Sequence, residues 1–210
     1  MKLYDFAPAA NAQRVQVFIK EKGIELRTEQ LNVREDNQFL EPFTSMNPFH
    51  CVPFLELDDG TVIAESLSIC RYLEEQYPNP PLFGETARER AIIDMWSRRF
   101  ELDGFIPMLH AVRNHLPAFK GRVVPGTRTE LSQMPEMVTR GIEMMNIFLG
   151  RIEPYMSKNE FVAGSKLTVA DITGFFTVRL TNAVEMDIST SFPETSAWME
   201  RISSRAAFQI

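Results

Sequence analysis

The chain has 210 residues, of which 44% are hydrophobic and 24% charged, and its net charge is −6. A chain of this size and composition can bury the core of one or two small domains, which excludes a disordered protein. The acidic balance argues against nucleic acid and anionic membrane as partners, because Lys and Arg supply the affinity for phosphates.

The first third of the chain alternates predicted strands and helices, as the spacing of its apolar residues indicates. In chain order these are a strand over residues 2–6, a helix over 11–22, a strand over 26–32, a loose helix or loop over 35–44, a hairpin of strands over 52–57 and 61–64, and a helix over 66–76. The early crossover requires parallel strands and the hairpin requires antiparallel ones, so the sheet is mixed.

Residues 78–87 are read as a linker, because three prolines within or beside this stretch lack the backbone N–H that a continuing helix needs. The linker separates a first domain at residues 1–77 from a second at residues 88–210. The second shows helical spacing only, with helices predicted over residues 88–112, 131–156, 169–184 and 192–202. Gly104 and Pro107 lie inside the first of these and predict a kink.

The dipeptide Val52-Pro53 opens a strand that the pattern predicts to be buried. A cis bond at this point would turn the N–H and C=O of Val52 outward, where they can pair in β fashion with an extended peptide. The alternative is an ordinary proline at the start of a strand. Both interpretations stay open on the dipeptide alone.

The dipeptide Glu65-Ser66 stands directly at a predicted helix start. The free N–H groups and partial positive charge of a helix N-terminus favour a carboxylate, and the Ser66 hydroxyl adds a hydrogen bond. Glu65 supplies a negative charge for an ammonium group. Together they suit the zwitterionic end of an amino acid, although a simple N-cap with an acid beside it explains the same residues.

Three segments together resemble the motifs of the cytosolic glutathione transferase superfamily. They are Asn47-Pro48-Phe49-His50-Cys51-Val52-Pro53, Asp59-Gly60-Thr61-Val62-Ile63-Ala64-Glu65-Ser66 and Gly164-Ser165-Lys166-Leu167-Thr168-Val169-Ala170-Asp171. The resemblance covers essentially the whole chain and implies a thioredoxin-like α+β first domain with a mixed sheet, followed by an all-α domain. The third segment also has a local reason, since Thr168 and Asp171 form a capping-box pattern that serves folding.

The resemblance implies where glutathione binds. The Val52 backbone ahead of Pro53 would pair with the cysteinyl unit, and Glu65 with Ser66 would hold the γ-glutamyl head. The places from which the family often contacts the glycine carboxylate hold Gln38 and His50, which are polar enough to serve. A solvated loop histidine is the alternative for His50.

The position at which the family usually carries its thiol-activating Ser or Cys holds Ala9. Asn11 is the remaining candidate, because its amide can donate to a thiolate while the helix dipole assists. Asn11 is equally well explained as the N-cap of the first helix. Bacterial glutathione transferases of the disulfide-reductase type show a similar Ala-Pro-x-x-Asn loop, which supports Asn11 but implies thiol–disulfide exchange.

Residues 52–65, and Arg99-Phe100-Glu101-Leu102 with Pro107, also resemble the yeast-type atypical transferases, which hold a thiol-polarising water with a serine and a histidine on the first long helix of the second domain. The matching positions here are Leu109 and Arg113, so that device does not transfer intact. Arg113 can stabilise a thiolate by its charge, and His110 is a weaker candidate. By resemblance, Phe105 and Leu109 would form the apolar wall of an electrophile pocket; core packing is the alternative.

The function that this resemblance implies is a glutathione transferase whose glutathione thiolate attacks a hydrophobic electrophile. A glutathione-dependent disulfide oxidoreductase and a non-catalytic glutathione-binding or ligand-binding protein are the alternatives. Glutathione would be a co-substrate, with no other cofactor and no metal, because metal-ligand spacing is absent. The family further implies a homodimer and a role in detoxification.

The N-terminal residues and the cysteines predict a cytoplasmic protein. An acid occupies position 5, where a signal peptide would have an apolar stretch, and no apolar run approaches the roughly 20 residues that cross a bilayer. Cys51 and Cys70 are too few for a disulfide framework, which is typical of a reducing compartment. Both are interpreted as structural.

Overall fold

A computed structural model describes all residues from Met1 to Ile210. The chain divides into two compact units. The first comprises Met1–Pro80 together with Val124–Arg128 and Ile210, and the second comprises Pro81–Val123 and Thr129–Gln209.

The first unit is built on a four-stranded sheet in the order β2-β1-β3-β4. Its strands are β1 (Lys2–Asp5), β2 (Arg27–Gln30), β3 (Phe54–Glu56) and β4 (Val62–Ala64). Strand β1 runs parallel to β2 and antiparallel to β3, and β3 pairs antiparallel with β4, so the predicted mixed sheet is confirmed.

Three helices accompany this sheet, namely α1 (Ala10–Lys22), α2 (Phe43–Met46) and α3 (Ser66–Gln76). Helix α1 ends at Gly23, whose φ of 63° is the left-handed conformation that glycine adopts most readily. The region predicted as a loose helix or loop forms two 3₁₀ turns, Val33–Glu35 and Asn37–Phe39, before α2. Helix α3 has the predicted bounds.

The sheet carries a hydrophobic cluster formed by Tyr4, Leu31 and Phe54, with Phe43 and Met46 packed against it. The rings of Tyr4 and Phe54 stack with centroids 4.7 Å apart, and the Tyr4 hydroxyl donates to Glu56 at 2.9 Å. Tyr4 is therefore a core residue of this unit.

The second unit is entirely helical. Its helices are α4 (Ala87–Arg99), a π-helical turn (Phe100–Phe105), α5 (Ile106–His115), α6 (Pro135–Met156), α7 (Val169–Arg179) and α8 (Pro193–Ser203), with 3₁₀ turns at Pro117–Phe119, Leu180–Val184 and Ala206–Phe208. The kink predicted from Gly104 and Pro107 takes the form of the π-helical turn. A Cβ on Gly104 would lie 2.5 Å from Cγ2 of Thr177, so only glycine permits this close approach to α7.

The start of α7 is the predicted capping box. The Asp171 carboxylate accepts hydrogen bonds from the backbone N–H groups of Val162 (2.7 Å) and Thr168 (2.9 Å), from the Thr168 hydroxyl (3.0 Å) and from the Trp198 indole (3.2 Å). Asp171 is fully buried, and this burial raises its pKa to about 6. One side chain thus ties three segments of the second unit together.

Candidate functional site

The loop at residues 47–53 presents an open peptide group at the start of β3. The Asn47 side chain organises this loop, because it donates to the Cys51 carbonyl at 2.8 Å and accepts from the Phe49 N–H at 3.2 Å. The Val52–Pro53 bond is cis, as one of the two sequence interpretations anticipated. The N–H and C=O of Val52 make no hydrogen bond within the chain, so both can pair with a ligand.

The start of α3 is a second feature of this unit. Glu65 precedes the helix with φ 67° and ψ 123°, and its exposed side chain makes no capping hydrogen bond. A non-glycine residue in such a conformation costs on the order of 1 to 3 kcal/mol and is typical of functional sites. Ser66, only 5% exposed, is the first helical residue. The side chain therefore leaves the first N–H groups of α3 available.

The start of α1 lies after a loop without any hydroxyl or thiol. Ala9 is the N-cap and has no side chain that can cap, so the interpretation of Asn11 as the N-cap is wrong. Asn11 is the second helical residue and is half-buried. Its position in the first turn leaves its amide near the positive end of the helix dipole.

A buried network lies behind this loop. The Asp5 carboxylate, 1% exposed, accepts from the side-chain amides of Gln16 (2.6 Å) and Gln30 (3.2 Å). The side-chain oxygen of Gln30, Oε1, in turn accepts a hydrogen bond from the Ala7 N–H at 2.9 Å. These three side chains hold the loop that leads to Asn11, and the sequence pattern did not reveal them.

Gln38 and His50 differ in accessibility. Gln38 is 5% exposed, and its side-chain oxygen has no hydrogen-bond partner, so a ligand reaching it would satisfy a buried polar atom. His50 has a φ of 51°, and its ring lies 4.8 Å from that of Phe39, the residue after Gln38. The fold therefore brings these two side chains to adjacent segments.

The four candidates in the second unit differ in burial and contacts, and of the four only His110 lines the cavity beside α5 and α6. This cavity has a volume of about 190 Å³, and its other lining residues are Leu102, Ile106, Pro107, Met137, Arg140, Gly141 and Met144. Phe105 is 5% exposed and belongs to the core of this unit, and Leu109 is half-buried. The Arg113 guanidinium donates to the Arg122 carbonyl and lies 4.7 Å from the Phe119 ring centroid.

The remaining chemistry-bearing groups have simple roles. Cys70 is 1% exposed, and burial raises the pKa of its thiol far above the usual range, which agrees with a structural role. Cys51 is half-buried and unbonded to Cys70. The structure contains no group of three or more side chains that could hold a metal ion, and none of its helices is long and apolar enough to span a bilayer.

Both halves of the chain match known protein families. Residues 10–76 match the glutathione S-transferase N-terminal domain, and residues 132–206 match the glutathione S-transferase C-terminal domain. Glutathione S-transferase D7 of Drosophila melanogaster is 30% identical over 202 residues, which cover 95% of this chain and 83% of that protein. The chain belongs to the glutathione S-transferase family.

Solved structures of this family share the whole fold. The class Gtt2 glutathione S-transferase of Vibrio parahaemolyticus is 34% identical with a TM-score of 0.84, covering 100% of this chain and 96% of that one. Gtt2 from Saccharomyces cerevisiae is 26% identical with a TM-score of 0.88, covering 100% and 99%. The thioredoxin-like first unit and the helical second unit are thus those of a glutathione S-transferase.

Proposed function

We propose that this glutathione S-transferase conjugates glutathione to a small hydrophobic electrophile. The observation that carries the proposal is the Val52 peptide group, whose donor and acceptor have no partner in the chain although they directly precede a buried strand. An extended peptide satisfies such a pair by adding to the sheet edge. The cysteinyl unit of glutathione supplies the matching carbonyl and N–H.

The two ends of glutathione are assigned by charge. Glu65 accepts the ammonium of the γ-glutamyl head, while Ser66 and the first N–H groups of α3 hold its carboxylate. Gln38 and His50 take the glycine carboxylate. The strained backbone at Glu65 supports this assignment, because no interaction within the chain requires an acid there.

Asn11 is assigned to the sulfur. Its side-chain amide and the positive end of α1 stabilise the thiolate, the thiol proton passes to solvent, and the sulfur attacks the electrophilic carbon. A carbon–sulfur bond forms, and a leaving group such as chloride departs with its bonding electron pair. The proposed reaction steps use no cofactor or metal.

The second unit is assigned to the electrophile. Leu109 and His110 supply half-buried positions on α5, and the buried Phe105 precedes this helix. The contacts of Arg113 with Phe119 and Arg122 support a role in shaping this end of α5.

The assembly and location follow as further proposals. Leu102, Ile106, Met144 and Ile147 expose apolar side chains in the second unit, which supports a homodimer that covers them. The two free cysteines support the reducing cytoplasm, where conjugation of electrophiles would serve detoxification. Size-exclusion chromatography with light scattering tests the dimer.

The activity test compares two reactions on the same protein. We expect conjugation of 1-chloro-2,4-dinitrobenzene with glutathione, and we expect Asn11→Ala to lower kcat by about tenfold, as one pKa unit at the thiol implies, without weakening glutathione binding. Reduction of hydroxyethyl disulfide by glutathione is the control reaction. Disulfide reduction without conjugation would replace the proposed activity by oxidoreduction, and binding without either reaction would leave a carrier.

A further inference from the structure

Five residues of the chain leave the second unit and join the first. Val124–Arg128 lies in sequence between two segments of the helical unit, yet it belongs to the compact unit formed by Met1–Pro80. We call Val124–Arg128 the strap. It is distant in sequence from every residue assigned to glutathione, so its contacts are decided by the fold alone.

Gly126 is the point at which the strap meets the loop that carries His50. A Cβ at this position would lie 1.9 Å from the Phe49 carbonyl oxygen and 2.9 Å from the Cys51 sulfur. Its φ of 67° also favours glycine. No other residue type fits without moving the backbone on either side of His50.

Arg128 is the point at which the strap meets the turn that carries Gln38. Its guanidinium forms an ion pair with the Asp36 carboxylate and lies 4.7 Å from the centroid of the Phe39 ring. The His50 ring also contacts Phe39, with ring centroids 4.8 Å apart. Arg128 thus holds the segment on both sides of Gln38.

We infer that the strap is a positioning element for the glycine end of glutathione: it sets the relative placement of Gln38 and His50, which bind the terminal carboxylate. The inference rests on the proposed function. Its physical basis is that the two carboxylate-binding segments are irregular loops, which need outside contacts to keep one geometry. Gly126 and Arg128 supply those contacts, one to each loop.

The sharpest test uses a truncated substrate. γ-Glutamylcysteine keeps the head and the thiol of glutathione but lacks glycine, so it makes no contact with Gln38 and His50 through a glycine carboxylate and depends on the strap only through Val52. For Gly126→Ala we expect KM for glutathione to rise by about tenfold, KM for γ-glutamylcysteine to change less than about twofold, and kcat at saturation to be retained, because the lost contact stabilises the ground state and the transition state equally.

Gly121→Ala is the matched control. Gly121 has a φ of 70°, close to that of Gly126, but a Cβ there meets nothing nearer than the Thr129 carbonyl oxygen at 3.7 Å. It therefore carries the same backbone strain without touching the His50 loop. We expect both KM values of this variant to match those of the unmodified protein.

A second variant keeps the test independent of backbone strain. Arg128→Gln removes the ion pair and the ring contact, and we expect it to raise KM for glutathione about threefold. We expect Arg128→Lys to recover part of this loss, because lysine restores the positive charge but not the planar guanidinium group. Thermal unfolding of each variant separates loss of fold from loss of positioning.

The outcomes separate the inference from the function. Equal rises in both KM values, no rise in either strap variant, or the same shift in Gly121→Ala would each overturn the strap's role while leaving the transferase intact. Absence of glutathione binding by the unmodified protein would remove the proposed function and, with it, the inference. A selective loss of the preference for glutathione supports the inference.

Discussion

Two helices of the first unit begin differently from two helices of the second. In the first, α1 and α3 start at Ala9 and Glu65, neither of which makes a capping hydrogen bond. In the second, α4 and α7 start with complete capping boxes at Thr86 and Thr168. Uncapped N–H groups lower helix stability but remain available to an anion, so the starts of α1 and α3 keep binding capacity where the starts of α4 and α7 gain stability.

The contrast is strongest between α7 and α3. At α7 a buried carboxylate accepts four hydrogen bonds from its own chain. At α3 the acid is Glu65, whose exposed side chain makes no capping hydrogen bond and whose backbone has a strained, positive φ. The same residue class thus serves folding in one place and is assigned to binding in the other.

The largest effect should come from removing the buried carboxylate. We expect Asp171→Ala to lower the free energy of unfolding by about 2 to 5 kcal/mol, because it leaves the Val162 N–H and the Trp198 indole buried without acceptors. Urea denaturation measures this loss. Asp187→Ala, which removes an exposed carboxylate bonded to Ser189 and Thr190, is the control and should cost at most about 1 kcal/mol.

The pH dependence of stability sharpens the same point. Burial raises the pKa of Asp171 from 3.8 to about 6, so between these values the folded state holds a proton that the unfolded state has released. The contribution of Asp171 to the free energy of unfolding is therefore full below about pH 4 and falls as the pH rises through about 6. The difference between the unmodified protein and Asp171→Asn should decline over this window; a flat difference would contradict the raised pKa.

Replacing the exposed acid Glu65 should affect glutathione binding more than stability. We expect Glu65→Gly to weaken glutathione binding by about 10-fold to 100-fold, the range for a lost charged hydrogen bond, while stability stays level or rises because glycine relieves the positive φ. Isothermal titration calorimetry and thermal unfolding measure the two quantities. A fall in stability with unchanged affinity would assign Glu65 to folding instead.

The smallest expected effect is at the exposed capping box of α4. Thr86→Ala removes the acceptor for the Glu89 N–H and should cost about 1 kcal/mol in denaturant unfolding. Thr139→Ala, on an exposed face of α6, should be neutral or slightly stabilising, since alanine is the better helix former. Equal effects of the two variants would show that capping adds nothing at this helix.

Local patterns predicted most of the elements and several site features. The mixed sheet, the bounds of α3 and the capping box at Thr168 follow from periodicity and from residues a few positions apart. The correct interpretation of Val52-Pro53 came from the surrounding motif. The N-cap interpretation of Asn11 failed by two positions, because a loop of small residues before α1 carries no distinctive capping side chain.

By itself, the amino-acid sequence determined the order of the elements, the two kinds of domain and the motifs that point to glutathione, because each depends on neighbours along the chain. Only the tertiary structure showed the π-helical turn at Phe100–Phe105, the close approach of Gly104 to Thr177 and the core position of Phe105. The tertiary structure also showed that Gly126 contacts the loop of His50 and that Arg128 contacts the turn of Gln38. Such contacts join residues tens of positions apart, and no local period or propensity records which distant surfaces will meet.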